Sequence, residues 1–303
     1  MVFSGIYPTG ESDVATLRSA LERLTLNDAA LRFEAEVSAA LGAGFRCGFL
    51  GLLHMEVVQE RLRREYEVEV VATAPTVPYR VRLQNGTPVI VDNPVLMPPR
   101  HRLLELEELY VTATIQAPQQ HLGVLMELCQ RRRGDFLDLA IDEQRARLVS
   151  AMPLAETTVE FFSELKALTA GYATVDFELE GYRPSDLVKV EILVDTSPVD
   201  AFAFIAHRSA AFERSKQLIT ELKHGLPRQL YPIPLQAVVE GKVIGRADLP
   251  PIRKSALGKG FEGSVSAKKR LAERQRASRS RSQGSALTRE DIPHEVFRSI
   301  LGI

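Results

Sequence analysis

Apolar residues recur along the first 74 residues in an order that predicts four strands and two helices. Helical spacing of three and four residues joins Val14, Leu17, Leu21 and Leu24, and again Met55, Val58 and Leu62. Alternating or continuous apolar runs predict strands at residues 1–8, 31–39, 45–50 and 67–73. The predicted order of elements is therefore β-α-β-β-α-β.

The same order is predicted a second time between residues 107 and 186. Strand patterns occur at 109–115, 136–141, 145–153 and 175–179, and helical patterns occur at 122–129 and 161–168. Two consecutive β-α-β-β-α-β units are typical of ferredoxin-like domains, in which two helices cover one face of a four-stranded antiparallel sheet. The sequence therefore predicts an α+β protein with two ferredoxin-like domains.

Prolines divide the first unit from the second. Six of them lie between residues 75 and 106, a density that excludes a long helix and favours an extended connection, with one strand at 87–91. After residue 187 the pattern predicts one more strand, at 188–194, and a helix around 211–222. The predicted domains are 1–74, 107–186 and an α/β C-terminal domain at 187–303, with 75–106 as a Pro-rich linker.

The composition is that of an ordinary globular protein, with 45% hydrophobic and 25% charged residues in 303. No window approaches 18 uninterrupted apolar residues, and the N-terminus lacks the features of a signal peptide. We therefore expect a cytoplasmic protein. Cys47 and Cys129 are too few for a disulfide framework, and we expect both to be reduced.

A net charge of −1 conceals a strong asymmetry. Residues 253–281, called the basic stretch below, contain ten cations and two acidic residues, whereas the rest of the chain is acidic. Lys/Arg clusters of this kind favour phosphate, so we predict RNA binding there, the alternative being a solubilising tail. Because the stretch has few large apolar side chains, we expect it to be mobile until bound. The predicted RNA-binding residues are Arg253, Lys254, Lys259, Lys268, Lys269, Arg270, Arg274, Arg276, Arg279 and Arg281.

Candidates for catalysis are weak. Cys47, His54 and Glu56 lie close in sequence and are types used in nucleophilic and acid–base chemistry, but no third orienting group is apparent. A structural role for Cys47 is the favoured interpretation. Phe45 and Phe49 bear a faint similarity to the strand with which RNA-recognition modules stack bases, but the glycine spacing differs.

Cofactor and metal sites are also not indicated. The phosphate-loop pattern and the Rossmann glycine pattern are both absent from the sequence. Asp176, Glu178 and Glu180 share one face of a predicted strand and suit a divalent cation, although a solvated sheet face is the commoner explanation. We therefore expect no catalytic, cofactor-binding or metal-binding residue in this chain, and no binding of GTP.

Six stretches of the chain resemble the C-terminal half of the LepA family, also called elongation factor 4. They are LNDA at 26–29, GFRCGFLGLLHME at 44–56, MELCQ at 126–130, GYRPSDLVK at 181–189, PRQL at 227–230 and IPHEVF at 292–297. The resemblance implies that the first two domains correspond to domains III and V of elongation factor G, and that the third is specific to LepA. It also implies a GTPase family whose GTP- and Mg²⁺-binding domain, with the following β-barrel, is missing from this sequence.

The resemblance further implies what the chain binds. The expected partners are the 70S ribosome with its ribosomal RNA, and A-site tRNA, with no small-molecule substrate. In the family, the whole factor is credited with GTP-dependent back-translocation and translational fidelity under stress, and with peripheral association with the cytoplasmic side of the cell membrane. The alternative interpretation of this chain is a stand-alone RNA-binding protein that acts outside the ribosome.

Overall fold

The computed structural model describes residues 1–9, 12–142, 144–157, 159–229, 232–251, 292–293 and 296–297. In these residues the chain forms three antiparallel sheets. No helix in the described ranges is long and apolar enough to span a membrane. The basic stretch, and with it the prediction that it is mobile, lies outside the described residues.

The first sheet has the strand order β2-β3-β1-β4. Its elements are β1 (Val2–Pro8), α1 (Val14–Asn27), β2 (Arg32–Ser38), β3 (Gly42–Phe49), α2 (Leu52–Tyr66) and β4 (Val70–Ala72). The Asp13 side chain caps α1 by accepting the Thr16 N–H at 2.6 Å. The predicted stripes, including Leu17 and Met55, are buried against the sheet. All six predicted elements are confirmed, although β4 is shorter than predicted.

The second sheet has six strands. Its elements are β5 (Tyr79–Leu83), β6 (Pro88–Val91), β7 (Leu103–Pro118), α3 (Leu122–Arg131), β8 (Asp135–Asp142), β9 (Arg145–Pro153), α4 (Val159–Leu168) and β10 (Thr174–Pro184). Strands β10, β7, β9 and β8 lie side by side in that order, and α3 and α4 contribute to the core on one face. The elements predicted between 107 and 186 are confirmed.

The strand predicted at 87–91 is confirmed as β6, but the interpretation of the rest of 75–106 as an unpaired linker is wrong. Strand β5 pairs with the first part of β7 and with β6, so the segment extends the second sheet. The prolines of this segment do not prevent strand pairing, because most of them lie between strands. Pro88 begins the edge strand β6, where its missing N–H removes no hydrogen bond between strands. Val81 and Val91 form a small core with Leu187 and Ile205, which belong to the third region.

The third sheet has the order β12-β11-β13-β14. Its elements are β11 (Leu187–Val194), β12 (Ser197–His207), α5 (Arg208–Gly225), β13 (Ile233–Val239) and β14 (Lys242–Leu249). Strand β11 and helix α5 are confirmed, whereas β12, β13 and β14 were not predicted. Two hairpins join the strands through turns of positive φ, at Asp195-Thr196 and Glu240-Gly241, which favour the twist of antiparallel pairs.

The first and third regions pack directly on each other. Asp200, in β12, accepts the backbone N–H groups of Ala39 and Ala40 at 2.6 and 3.2 Å. Tyr7 and Leu41 of the first region are buried in the same apolar cluster as the third sheet. The contact fixes the third sheet against the turn between β2 and β3.

Candidate nucleic-acid interface

The ten residues predicted to bind RNA lie outside the described residues, but the structure defines where their segment starts and ends. The preceding strand, β14, ends at Leu249, which pairs with Ile233. After the segment, Phe297 is fully buried in the third core, and its ring stacks on Phe202 with 4.8 Å between centroids. Both ends of the segment that contains the basic stretch are therefore attached to the same core.

Helix α5 is the principal helix of that core. Ala211, Ser215, Ile219 and Leu222 form its buried face. The single polar group among them is satisfied, because the Ser215 hydroxyl donates to the Ala211 carbonyl at 2.5 Å. Ile219 of α5 lies over β14 at Gly245, where a Cβ would be at an ordinary contact distance of 3.4 Å from Ile219 Cδ1. The flank of α5 near Ile219 therefore lies over the edge strand.

The same flank carries Phe212, Lys216 and Lys223, which we call the α5 stripe. Their spacing of four and seven residues places them on one face of the helix. Both lysines are exposed, and the ring of Phe212 is 50% exposed. Among the residues described by the structure, neither lysine forms an ion pair. Sequence reasoning missed the stripe, although its helical spacing was available as a signal.

Two further features fix the direction of the α5 stripe. Arg208, at the start of α5, lies 3.5 Å from Glu240 in the β13–β14 turn. The first turn of α5 is therefore near the exposed Lys242 at the start of β14. Because α5 runs along β14, its last turn, with Lys223, lies toward Leu249, from which the chain continues to the basic stretch.

The second sheet has the opposite electrostatic character. Residues 107–186 contain fourteen acidic and seven basic residues. On the face away from α3 and α4, the exposed Asp176 and Glu178 lie opposite Thr114 and Thr112. Arg147 is paired with Asp138 at 3.1 Å. This face therefore disfavours RNA phosphate.

The alternative metal site on β10 is not assembled. The pairing of β10 with β7 is interrupted by a bulge between Leu179 and Gly181. At this bulge the Glu180 carboxylate forms an ion pair with Arg183 and does not join Asp176 and Glu178 in a common site. In the part of the chain that the structure describes, no group of three His, Cys, Asp or Glu residues could hold a metal ion. The acidic strand is a solvated sheet face.

Both ring nitrogens of His54 form structural hydrogen bonds. Its Nδ1 accepts the Leu50 N–H at 3.0 Å, so the ring proton lies on Nε2, which donates to Asp28 Oδ2 at 2.6 Å. This hydrogen bond holds the pKa of Asp28 below its ordinary value, although burial opposes the shift. The imidazole therefore ties the end of α1 to the start of α2. It leaves neither nitrogen free to activate Cys47.

Both thiols are buried, and we expect them to be chemically inert in the folded protein. Burial raises the pKa of Cys47 to about 12 and that of Cys129 to about 11. Near pH 8 the thiolate fractions are thus ~10⁻⁴ and ~10⁻³, and the thiolate is the reactive form. A colorimetric disulfide reagent should modify neither thiol on the timescale that suffices for the protein unfolded in urea. Rapid modification of Cys47 in the folded chain would restore it as a candidate nucleophile.

The base-stacking alternative at β3 is excluded by burial. Phe45 is 4% exposed and faces α1 and α2. Gly44 and Arg46 face the other side of the strand, where Tyr7 lies across from them. A Cβ at Gly44 would come within 2.5 Å of the Tyr7 ring, so this glycine is required by close packing.

A cleft of about 270 Å³ separates that side of the first sheet from β12. Arg46 lies in it, nearly buried, and donates to Thr76 Oγ1 at 2.5 Å and to the Asp92 carbonyl. Glu36 and Asp200 also line the cleft. The Arg46 guanidinium already donates hydrogen bonds to protein groups, and the other two charged groups, Glu36 and Asp200, are carboxylates. The cleft therefore does not suit a phosphate group.

Two family models match the chain in succession. "Elongation factor G C-terminus" matches residues 105–193, and "GTP-binding protein LepA C-terminus" matches residues 194–302. Elongation factor 4 of Geobacillus thermodenitrificans is 47% identical over 306 residues, which cover 100% of this chain and 50% of that protein. Elongation factor 4 of Halalkalibacterium halodurans is 46% identical, and the match covers 99% of this chain and 49% of that protein. The same factor of a Streptococcus pneumoniae strain is 46% identical, with 100% of this chain and 50% of that protein covered.

These matches define the class of the chain as the C-terminal domains of a translation elongation factor. More particularly, the chain belongs to the LepA, or elongation factor 4, family and corresponds to its C-terminal half. It spans about half the length of the curated relatives that it matches.

Proposed function

We propose that the chain is the ribosome- and tRNA-binding part of a LepA-type translation factor, with the basic stretch as its main RNA contact. The observation that carries this proposal is the charge distribution along the chain: residues 253–281 contain ten cations, whereas residues 107–186 contain fourteen acidic and seven basic residues. Counterion release makes such a cluster the part of the protein with the greatest affinity for phosphate. Back-translocation and fidelity under stress belong to this proposal as activities of the whole factor.

The modules of this part follow the family pattern in our proposal. We assign 1–74 and 107–186 as ferredoxin-like domains related to domains III and V of elongation factor G, and 187–303 as the LepA-specific domain. The element order β-α-β-β-α-β in both sheets, with strand orders β2-β3-β1-β4 and β8-β9-β7-β10, supports the assignment. Residues 75–106 add β5 and β6 to the second module.

GTP and Mg²⁺ would act elsewhere in a whole factor. The residues of this chain do not fit a nucleotide, because the sequence has no phosphate-loop glycine pattern. No catalytic step is therefore assigned to the chain, and its contribution would be to position the factor on RNA. We place that action in the cytoplasm, where translation occurs. Peripheral membrane association stays a prediction of the family resemblance.

Co-sedimentation with ribosomes tests the proposal. We expect the chain to pellet with 70S ribosomes at low salt and to be released as the salt concentration rises, because the contacts are mainly to phosphate. A variant with all ten cations of the basic stretch changed to glutamine, called the ten-glutamine variant below, should remain largely in the supernatant.

The control is a chain with Arg23→Ala and Lys166→Ala, which removes two exposed cations from α1 and α4. It should pellet like the wild type. A wild-type chain that binds free tRNA but never pellets with ribosomes would favour the stand-alone RNA-binding alternative.

A further inference from the structure

The α5 stripe places cations and an aromatic ring on one exposed flank of the third region. Lys216 and Lys223 have no ion-pair partner among the described residues, while Glu221, on another side of the helix, is engaged by Gln217 at 3.2 Å. At 1.5 Å of rise per residue, the eleven steps from Phe212 to Lys223 extend over about 16 Å. Exposed cations beside an aromatic side chain suit a nucleic-acid strand, because the cations can bind its phosphates and the aromatic ring can stack on its bases.

Its position links the α5 stripe to the predicted RNA contact. The Lys223 end lies toward the end of β14, where the chain continues to the basic stretch, and the Phe212 end lies near Lys242. The stripe would therefore continue the path of an RNA strand held by the basic stretch. The opposite flank of α5 does not share this character, because Arg214 stacks over Phe204 at 4.6 Å.

We infer that the α5 stripe is a second RNA-contact surface, in which Lys216 and Lys223 bind backbone phosphates and Phe212 stacks on an unpaired base. The inference rests on the proposed function, because it supposes that the third region approaches RNA. It assigns RNA binding to residues of helix α5 as well as to the basic stretch. Phosphate contacts orient the strand, and stacking makes the site prefer single-stranded RNA over duplex.

The lysine contacts are tested with a Lys216→Ala, Lys223→Ala variant. Binding of fluorescein-labelled tRNA is measured by anisotropy at several salt concentrations. Loss of two phosphate contacts should make the slope of log K against log salt shallower by about 1.4 to 1.8, at ~0.7–0.9 per contact. Near 0.1 M salt the affinity should fall about tenfold or more. The Arg23→Ala, Lys166→Ala variant removes the same charge and should leave the slope unchanged.

The aromatic contact is tested separately with Phe212→Ala. We expect weaker binding of a single-stranded RNA of about 12 nucleotides, by about tenfold, and unchanged binding of a blunt duplex of equal length, because stacking needs an unpaired base. Tyr172→Ala removes a 66% exposed ring from the second region and should change neither affinity. Thermal melts of the two-lysine, Phe212→Ala and Tyr172→Ala variants check that each chain remains folded, since each of these substituted side chains is exposed.

The outcomes separate this inference from the proposed function. If the ten-glutamine variant loses the salt dependence while the two-lysine variant matches the wild type, the α5 stripe is not an RNA surface and the proposed function stands. An equal effect of Phe212→Ala on single strand and duplex would overturn the stacking contact. If the wild type binds neither tRNA nor ribosomes, both proposals fail.

Discussion

The ten-glutamine variant should bind tRNA far more weakly than the wild type and lose most of the salt dependence of binding. If about six of the ten cations contact phosphates, the basic stretch contributes roughly −4 to −5 to the slope of log K against log salt, at ~0.7–0.9 per contact. The wild-type chain should then lose about a thousandfold in affinity between about 50 and 200 mM salt. The variant should retain a slope no steeper than about −2, which we assign to the α5 stripe.

Substitution tests the basic stretch more cleanly than truncation after Ile252. Truncation would also remove Ile292 and Phe297, which are buried in the third core, and would leave Phe202 without its stacking partner. A loss of binding would then report a damaged core as well as lost charge. Glutamine at the ten positions keeps those core residues in the chain.

The matched control exchanges the four lysines of the basic stretch for arginine. It keeps every charge and should keep the wild-type slope, since counterion release depends on charge. A scrambled RNA of equal length should bind the free protein as well as tRNA does, because phosphate contacts carry no sequence information. A ten-glutamine variant with an unchanged slope would instead place the RNA surface on the folded modules.

The helices could be predicted because burial of one face imposes a period that the sequence displays. The helical spacing of Met55, Val58 and Leu62 predicted a helix, which is found as α2. The following strand was predicted to begin at 67 but begins at Val70, because Glu67 ends α2 in a left-handed conformation with φ of 56°. Local periodicity therefore identified the element but not the backbone geometry at its boundary.

The strands that were missed depend on partners distant in sequence. Strand β5 is five residues long and is stabilised by pairing with residues 103–108, a relationship that no local pattern reveals. The β13–β14 hairpin turns at Glu240-Gly241 rather than at a common Asn-Gly or Asp-Gly pair, so the turn signal was weak. The α5 stripe was missed for another reason: the period that predicts α5 is that of its buried positions, and no local pattern shows which exposed side chains lie beside the edge strand β14.

Arg133→Ala should destabilise the second module by ~3–5 kcal/mol, because it would leave a buried carboxylate unpaired. Glu108, in β7, is 1% exposed, and its two oxygens accept from Arg133 Nη1 and Nη2 at 2.7 and 3.0 Å. Arg133 Nε also donates to Glu156 at 3.0 Å. Burial alone would lower the pKa of Arg133, but these two carboxylates outweigh it and raise the pKa, so the guanidinium stays charged.

The neighbouring Arg131 provides the control. Its side chain is 61% exposed and pairs with Glu164 at 3.2 Å, so Arg131→Ala should cost no more than ~1 kcal/mol. Calorimetry of the three chains measures the difference as a fall in Tm. Adding Glu108→Gln should restore part of the stability at neutral pH. Equal melting of the two arginine variants would show that the buried pair does not stabilise the module.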